Sequence, residues 1–416
     1  MTSLDWLFFF IGIFWAALII YKNFLLNKNQ EQIKKFTFFF FLKLSAAIFY
    51  TSYYYKKKEY ISDFDTHFTD MYQLSEILFK NPWLFINYFF GLEKPDPNLV
   101  WTANYDPRSF HFLRISFPLF LISGRNPYIL SSYFCLLSTW ALFRFYETIK
   151  KSFSNYLSGF FVGFLYLPGM LFWASGFSKE TLAYISIFGL ITALDIEKFT
   201  FKNIIVIILL FLVFILIKPF YVALIIPFLI NKIPLRYLQK HKLTLILLIT
   251  GLLISLSLIF HKIWLYAVIS YQINFSSYID GSLDQKLITV YDHLTFDPLT
   301  MLPNLWRAFY SGFMRPLLKE CFSFLCTVEA FQNLIFLSIL LWGICKLFFL
   351  DKKINIFQIS MIIISFTLGI LTAFSFSSIG TLSRFRIFYI PWLIWIFASD
   401  LNSNKFLCIK HLKFKV

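Results

Sequence analysis

The run IIVIILLFLVFILI, residues 204–217, has no polar or charged side chain. Similar apolar runs recur along the 416-residue chain, which is 58% hydrophobic and only 14% charged, against about 25% charged in an average soluble domain. A helix that crosses a bilayer needs about 20 apolar residues, or fewer where it is buried in protein. The pattern therefore predicts an all-α, polytopic integral membrane helix bundle. Its eleven predicted spans are residues 4–21, 36–55, 127–147, 156–174, 181–196, 203–217, 219–231, 243–261, 330–349, 356–376 and 383–399.

The arrangement of these runs argues against three other interpretations. Continuous runs disfavour an outer-membrane barrel, whose strands alternate apolar and polar residues. A net charge of +16 is typical of some nucleic-acid-binding proteins, but the lysines lie in short loops between apolar runs, so we expect no nucleic acid. The first run carries Asp5 rather than a basic leader and lacks a small-residue cleavage site. It is therefore expected to be a retained helix and not a signal peptide.

Basic residues in short loops indicate which side of the membrane each loop faces. With the N-terminus outside and the C-terminus in the cytoplasm, the six cytoplasmic segments hold 19 of the 38 basic residues. Loops 56–126 and 262–329 then face outward and hold 14 of the 22 acidic residues. We therefore predict one multi-pass domain, residues 1–416, in the bacterial cytoplasmic membrane. In the first outer loop we expect an interfacial helix at Thr69–Gly91 and an interfacial or re-entrant segment at Phe110–Ser123.

The cysteines are odd in number and scattered along the chain. They form no CxxC pair and no Cys/His spacing of the kind that assembles a zinc site. We therefore expect them to be small apolar packing residues. They are Cys135, Cys321, Cys326, Cys345 and Cys408.

An acidic motif, ISDFDTHFTDMY at residues 61–72, follows the second predicted span. Paired carboxylates at a membrane surface can act as a general base or bind Mg²⁺ or Mn²⁺, which favour oxygen ligands. If the segment is extended, Asp63 and Asp65 point the same way; if it is helical, Asp63, His67 and Asp70 share a face. A solvated acidic loop is the alternative to a functional site.

Two further features could bind an anion. In LPGMLFWASGFSKETLAY, residues 167–184, Lys179 and Glu180 stand at the start of a predicted helix, where free backbone N–H groups favour a phosphate. In GTLSRFRIFYIPW, residues 380–392, Arg384 and Arg386 stand at the outer mouth of the last span, against the positive-inside trend. An interfacial lysine and snorkelling arginines are the alternatives.

Weaker candidates lie on the same predicted side of the membrane. Arg114 occurs in WTANYDPRSFHFLRI, together with Asn104, Asp106 and Arg108, and Arg315 occurs in SGFMRPLLKE. Lys218, followed by Pro219, is interpreted either as a helix break or as a further phosphate contact.

Several of these segments together resemble bacterial integral-membrane glycosyltransferases of the C type (GT-C). The segments are KLSAAIFYTSYYY, DFDTHF, SFHFLRI, LPGMLFWASGFSKET, MRPLLKE and SRFRIFY, within residues 36–390. The resemblance implies transfer of a sugar from a polyprenyl-phosphate-linked donor to a glycan, lipid or protein acceptor on the outer face. It also implies that Asp63 or Asp65 is the base and metal ligand.

By the same resemblance Lys179, Arg384 and Arg386 hold the donor phosphate. His67, Arg114, Glu180 and Arg315 complete the predicted substrate-binding set. One departure is that the acidic loop follows the second predicted span, whereas in the family it usually follows the first.

Three other functions fit the same composition. An O-antigen-type polysaccharide polymerase is also polytopic and depends on arginines, and the outer loop 262–329 is available for it. A transporter or flippase needs polar groups within the membrane, for which Lys43 and Lys218 are candidates. A noncatalytic membrane subunit is the third.

Overall fold

The computed structural model describes residues 30–55, 62–96, 98–153, 157–195, 200–231, 291, 298–349, 356–376 and 378–399. Every regular element among these residues is a helix, and none is a strand, so the chain is all-α as predicted. It divides into two compact units. The first comprises Met1–Thr148 and Leu171–Pro219, and the second comprises Ile149–Met170 and Phe220–Val416.

Four helices of the first unit lie on apolar runs that were predicted as spans, and the other four lie in the predicted outer loop 56–126. The predicted span 203–217, for example, is a helix that begins at Phe201, where the Thr200 side chain caps it. These helices are α1 (Gln30–Tyr54), α2 (Asp63–Lys80), α3 (Pro82–Phe90), α4 (Trp101–Tyr105), α5 (Pro107–Ile122), α6 (Pro127–Ser152), α9 (Lys179–Leu194) and α10 (Phe201–Ile217). Helix α6 and the short α8 (Pro168–Trp173) each include the residue at which the chain changes unit.

The candidate interfacial segment Thr69–Gly91 is two helices and not one. The first begins six residues earlier, at Asp63, and the second begins at Pro82. The break falls at Asn81 because a residue before proline is driven away from helical backbone angles. The Asn81 side chain then accepts a hydrogen bond from the N–H of Leu84 and caps α3.

The candidate segment Phe110–Ser123 is a helix that starts earlier than predicted. Asp106 caps this helix and Pro107 is its first residue, so α5 spans Pro107–Ile122. The first position of a helix tolerates proline because its N–H would have no helical partner.

The second unit contains shorter and more broken helices. They are α7 (Leu157–Phe160) with the π-helical turn Phe161–Tyr166, the 3₁₀ turn Pro219–Ile225 with α11 (Ile226–Asn231), the 3₁₀ turn Pro298–Met301, α12 (Leu305–Phe313), the 3₁₀ turn Leu318–Glu320, α13 (Phe324–Phe349), α14 (Ile356–Ser375), α15 (Ile379–Arg386) and α16 (Ile390–Ala398). Gly163 allows the π-helical turn to approach α16, since a Cβ there would lie 2.6 Å from the carbonyl oxygen of Pro391.

Three predicted spans are therefore not continuous helices. The span 156–174 changes to π-helix and stops before Pro168, and the span 219–231 opens as a 3₁₀ turn. The span 383–399 is divided at residues 387–389. Helix α16 begins directly after this break, and Pro391 lies in its first turn. Proline lacks a backbone N–H donor and clashes with the preceding turn of a helix, which explains the breaks before Pro168 and before Pro391.

Three helices of the described chain are long and apolar enough to cross a membrane. They are Gln30–Tyr54, Phe324–Lys346 and Ile356–Ser375. Phe201–Ile217 and Pro219–Asn231 are also apolar, but they are shorter. The predicted spans 4–21 and 243–261 lie outside the described residues.

Two cysteines differ from their predicted packing role. Cys321, three residues before α13, and Cys326, in the first turn of α13, form a disulfide. Of the other two cysteines that the structure describes, Cys135 is a buried free thiol and Cys345, near the end of α13, is an exposed one. The spacing of five residues carries no recognisable motif, so the sequence alone did not indicate the bond.

Candidate functional site

An aromatic junction in the first unit joins three of the predicted motifs. The ring of Phe177, in the turn before α9, lies 5.6 Å from that of Phe64 and 6.5 Å from that of His67. It also stacks on Phe112 of α5, with ring centroids 5.0 Å apart. Aromatic pairs at these distances stabilise packing beyond the area that they bury. The acidic motif, α5 and the turn that leads to Lys179 are therefore in contact.

The acidic motif is helical, which decides between its two predicted geometries. Asp63 and Asp65 lie in the first turn of α2. The Ser62 hydroxyl caps this helix: it accepts a hydrogen bond from the N–H of Asp65 and donates one to the Asp65 carboxylate at 2.8 Å. Asp63 is exposed and Asp65 is half-buried. Carboxylates near a helix N-terminus are stabilised by its dipole. Since residues two apart on a helix do not face each other, the two aspartates act separately.

The helical register bears directly on the predicted metal site. Asp63 and Asp65 do not fit a shared Mg²⁺ or Mn²⁺ ion, because their side chains leave the helix in different directions. The described residues also contain no group of three or more His, Cys, Asp or Glu side chains that could hold a metal ion.

His67 and Asp70 face the interior of the first unit. The ring of His67 lies 5.3 Å from that of Phe112. The Asp70 carboxylate accepts hydrogen bonds from the Trp101 N–H, the Thr102 N–H and the Thr102 hydroxyl, at 3.2, 2.8 and 2.6 Å. Burial raises the pKa of Asp70 although these bonds favour its charged form. Asp70 thus fixes the start of α4 to α2.

Lys179, the first residue of α9, meets two side chains at the start of α5. Its Nζ donates to Ser109 Oγ at 2.6 Å and to Asp106 Oδ2 at 3.3 Å. The Ser109 hydroxyl in turn donates to Asp106 Oδ2. Asp106, Ser109 and Lys179 form what we call the lysine triad. Lys179 lies 70 residues after Ser109 and 73 residues after Asp106 in the chain.

The electrostatics of the lysine triad keep Asp106 ionised. Burial acts to raise the pKa of this carboxyl, but the Lys179 ammonium and the hydrogen bonds from Ser109 outweigh it and lower the pKa to about 2. A carboxylate this acidic is a poor general base near neutral pH. The triad is therefore suited to holding the ammonium and not to moving a proton.

The neighbouring Glu180 points to a different partner. Its carboxylate accepts a hydrogen bond from Lys218 Nζ at 2.8 Å, and the two side chains are only 2% and 7% exposed. Lys218 ends α10 and precedes Pro219, so the predicted helix break is confirmed there. A buried ion pair of this kind is sensitive to loss of either partner. Glu180, predicted to bind substrate, is paired with Lys218 within the protein, and its predicted role stays a prediction.

Arg114 stabilises the end of α3. Its Nη2 donates to the Tyr88 carbonyl at 3.3 Å, and its guanidinium lies 4.3 Å from the ring centroid of Phe110. A cation beside the last carbonyls of a helix is favourable. The half-buried Arg114 thus holds the helix end before Gly91, whose φ of 78° is left-handed.

The remaining predicted cations belong to the second unit. Arg386 is 2% exposed and donates from Nε to the Gly312 carbonyl at 2.9 Å and from Nη2 to the Ser311 carbonyl at 2.5 Å. The Tyr389 hydroxyl also donates to Gly312, at 2.8 Å. These carbonyls are at the C-terminal end of α12. Arg384, two residues before Arg386, is half-buried.

Arg315 is also engaged within the second unit. Its Nε donates to Glu320 Oε1 at 3.0 Å, and the other carboxylate oxygen of Glu320 accepts from the Leu317 N–H at 2.8 Å. Asn333 of α13 donates to the Arg315 carbonyl at 2.9 Å. The peptide bond between Arg315 and Pro316 is cis. This network ties the segment that follows α12 to α13.

Sequence reasoning named Asp106 only as a weak candidate and did not single out Ser109. The order Asp106, Pro107, Arg108, Ser109 is the pattern of a capped helix start, with the cap accepting from the N–H three residues later. That signal predicts the start of α5 but not the approach of Lys179.

Comparison with known proteins gives no relative from which to assign the site: no family model, no curated protein and no solved structure matches this chain.

Proposed function

We propose that the protein is a membrane glycosyltransferase that moves a sugar from a polyprenyl-phosphate-linked donor to an acceptor on the extracytoplasmic face. The observation that carries the proposal is the aromatic junction around Phe177, which packs the start of the acidic helix α2 against the turn before Lys179. A carboxylate and a cation brought to one region are what transfer from a lipid phosphate requires.

Each charged group has a defined part in the proposed reaction. Asp63 or Asp65 takes the proton of the acceptor hydroxyl, as a general base. The acceptor oxygen forms a bond to the anomeric carbon of the sugar while the bond from that carbon to the donor phosphate breaks. The phosphate is therefore the leaving group, and negative charge develops on it. Lys179 stabilises that charge through a donor already oriented before the reaction. Because Asp63 is exposed and Asp65 half-buried, both are accessible to an acceptor.

The proposed orientation in the membrane has independent support from cysteine chemistry. Disulfides form in oxidising compartments and are rare in the cytosol. The disulfide between Cys321 and Cys326 is at the start of α13, whereas the free thiol of Cys345 is near its other end. A helix of this length extends about 39 Å at about 1.5 Å per residue, enough to cross a bilayer. This asymmetry favours an extracytoplasmic start and a cytoplasmic end for α13.

The proposal is tested by neutralising the two aspartates in the purified full-length protein. We expect Asp63→Asn combined with Asp65→Asn to abolish transfer of radiolabelled sugar from polyprenyl-phosphate sugars, while membrane insertion stays normal. Glu93→Gln, an exposed carboxylate of the same loop, is the matched control and should retain activity. Full transfer by the double variant would refute the proposed base. Glycan shortened to single repeat units in a deletion strain would indicate a polymerase instead.

The buried pair of Glu180 and Lys218 favours a transporter as the second candidate. Ionisable residues at a break in an apolar helix are typical of substrate or ion pathways in membranes. Here Lys218 stands at such a break, with Glu180 as its partner. Accumulation of a lipid-linked sugar on one side of proteoliposomes that contain no acceptor would support transport over transfer.

A further inference from the structure

We infer that Ser109 is a positioning residue for Lys179, and that its hydroxyl aims one N–H of the lysine at a phosphate oxygen of the donor. The inference deepens the proposed function and rests on it, since it assumes that Lys179 binds an anion. It concerns a residue that does not itself touch the substrate.

The donors of Lys179 are incompletely used within the described part of the chain. An ammonium group has three N–H donors. Two of them reach Ser109 Oγ and Asp106 Oδ2, at 2.6 and 3.3 Å. The Lys179 side chain is 13% exposed, so the third donor can reach a ligand at the surface of the unit.

The hydroxyl of Ser109 is what sets the direction of the ammonium. It accepts from Lys179 and donates to Asp106, so its single proton and its lone pairs are both assigned. Lysine is a flexible side chain with a compact charge, and a free ammonium would sample many positions. Holding two of its donors limits the third to a narrow range of directions. Orientation fixed before binding reduces the entropy that binding removes.

Two other roles for Ser109 do not account for this geometry. Ser109 is 1% exposed, so its oxygen is closed to a substrate and cannot serve as a nucleophile. The cap of α5 does not need the hydroxyl either, because Asp106 Oδ1 accepts from the backbone N–H of Ser109 at 3.3 Å. The hydroxyl is thus separable from both catalysis and capping.

This separation allows a test that leaves the charge and the helix cap unchanged. Ser109→Ala removes only the hydroxyl. Ser116→Ala is the matched control, since Ser116 lies two turns along the same helix, is also 1% exposed and has a hydroxyl without a hydrogen-bond partner among the described residues. Both variants are prepared as full-length protein in nanodiscs.

The measurement is the affinity for polyprenyl phosphate relative to that for uncharged polyprenol. We expect Ser109→Ala to lower this ratio about tenfold, the effect of losing one hydrogen bond to a charged group. Ser116→Ala should leave the ratio unchanged. A purely structural role would weaken both ligands alike and leave the ratio constant, which would overturn the inference. If Ser109→Ala is not recovered folded, Ser109→Thr keeps a hydroxyl and should retain the ratio; its loss would count against the inference.

A third variant separates this inference from the proposed function. Lys179→Gln should reduce polyprenyl phosphate binding at least as much as Ser109→Ala. If Lys179→Gln has no effect on binding, the proposed role of Lys179 is wrong. If Lys179→Gln weakens binding while Ser109→Ala behaves like Ser116→Ala, only the positioning role is wrong.

Discussion

Lys179 of the first unit and Arg386 of the second are both predicted from sequence to bind phosphate, yet they have different surroundings. Lys179 opens a helix and, in the part of the chain that the structure describes, keeps one N–H beyond its two partners, whereas Arg386 is buried against the last carbonyls of α12. A helix N-terminus favours an anion, and a C-terminus favours a cation. The helix end that each cation meets therefore supports the proposed anion-binding role for Lys179 and gives Arg386 a structural partner.

The largest loss of stability is expected when the buried ion pair of Glu180 and Lys218 is broken. Lys218→Met leaves the carboxylate of Glu180 buried without its cation, which costs about 3–5 kcal/mol in the free energy of unfolding. Lys202→Met, an exposed lysine at the start of the same helix, should change it by less than about 0.5 kcal/mol. Reversible unfolding in detergent measures both.

The double variant Glu180→Gln with Lys218→Met tests whether this loss of stability comes from the unpaired buried charge. Because it removes both charges, it should recover part of the stability that Lys218→Met loses. Equal stability of Lys218→Met and the unchanged protein would show that the pair is not structural. Lys218 would then return to its alternative interpretation as a phosphate contact.

A smaller loss is expected where Arg386 is removed. Arg386→Met leaves the carbonyls of Ser311 and Gly312 without its hydrogen bonds, and we expect destabilisation of about 3 kcal/mol. Arg384→Met, at the half-buried neighbour, should cost less. Melting in detergent, with polyprenyl phosphate binding as a second readout, distinguishes the two roles. An Arg386→Met protein that melts normally but no longer binds the phosphate would reverse the comparison between Lys179 and Arg386.

Local signals in the sequence predicted much of the fold. The apolar run at 203–217 appears as α10 within two residues of its predicted start, because length and apolar composition decide whether such a segment is helical. The break at residues 387–389 was not predicted. It coincides with the bonds that Arg386 and Tyr389 make to Gly312, which is more than 70 residues away.

The candidate site was predictable only in part for the same reason. Lys179 was identified by its place at a helix start, which is a local property. Its partner Asp106 lies 73 residues earlier, and nothing in either motif specifies the other. The sequence therefore predicts which residues can bind an anion, whereas long-range packing decides which of them already have a partner inside the protein.

The smallest effect expected is a pH dependence that belongs to the lysine triad alone. The pKa of Asp106 is about 2 in the folded protein, below its usual value of 3.8, so its ionised form stabilises the fold. That contribution is complete above about pH 4 and is lost as the pH falls through about 2. Since the carboxylate is partly exposed, we expect only about 1 kcal/mol.

The comparison of Asp106→Asn with the unchanged protein measures this contribution. Their free energies of unfolding should differ at pH 6 and converge as the pH approaches 2, whereas Glu93→Gln should show no such convergence. A difference that persists at the lowest pH would mean that Asp106 stabilises the fold through its helix cap and not through Lys179. Convergence would instead attribute the stabilisation to the charge of the Asp106 carboxylate beside Lys179.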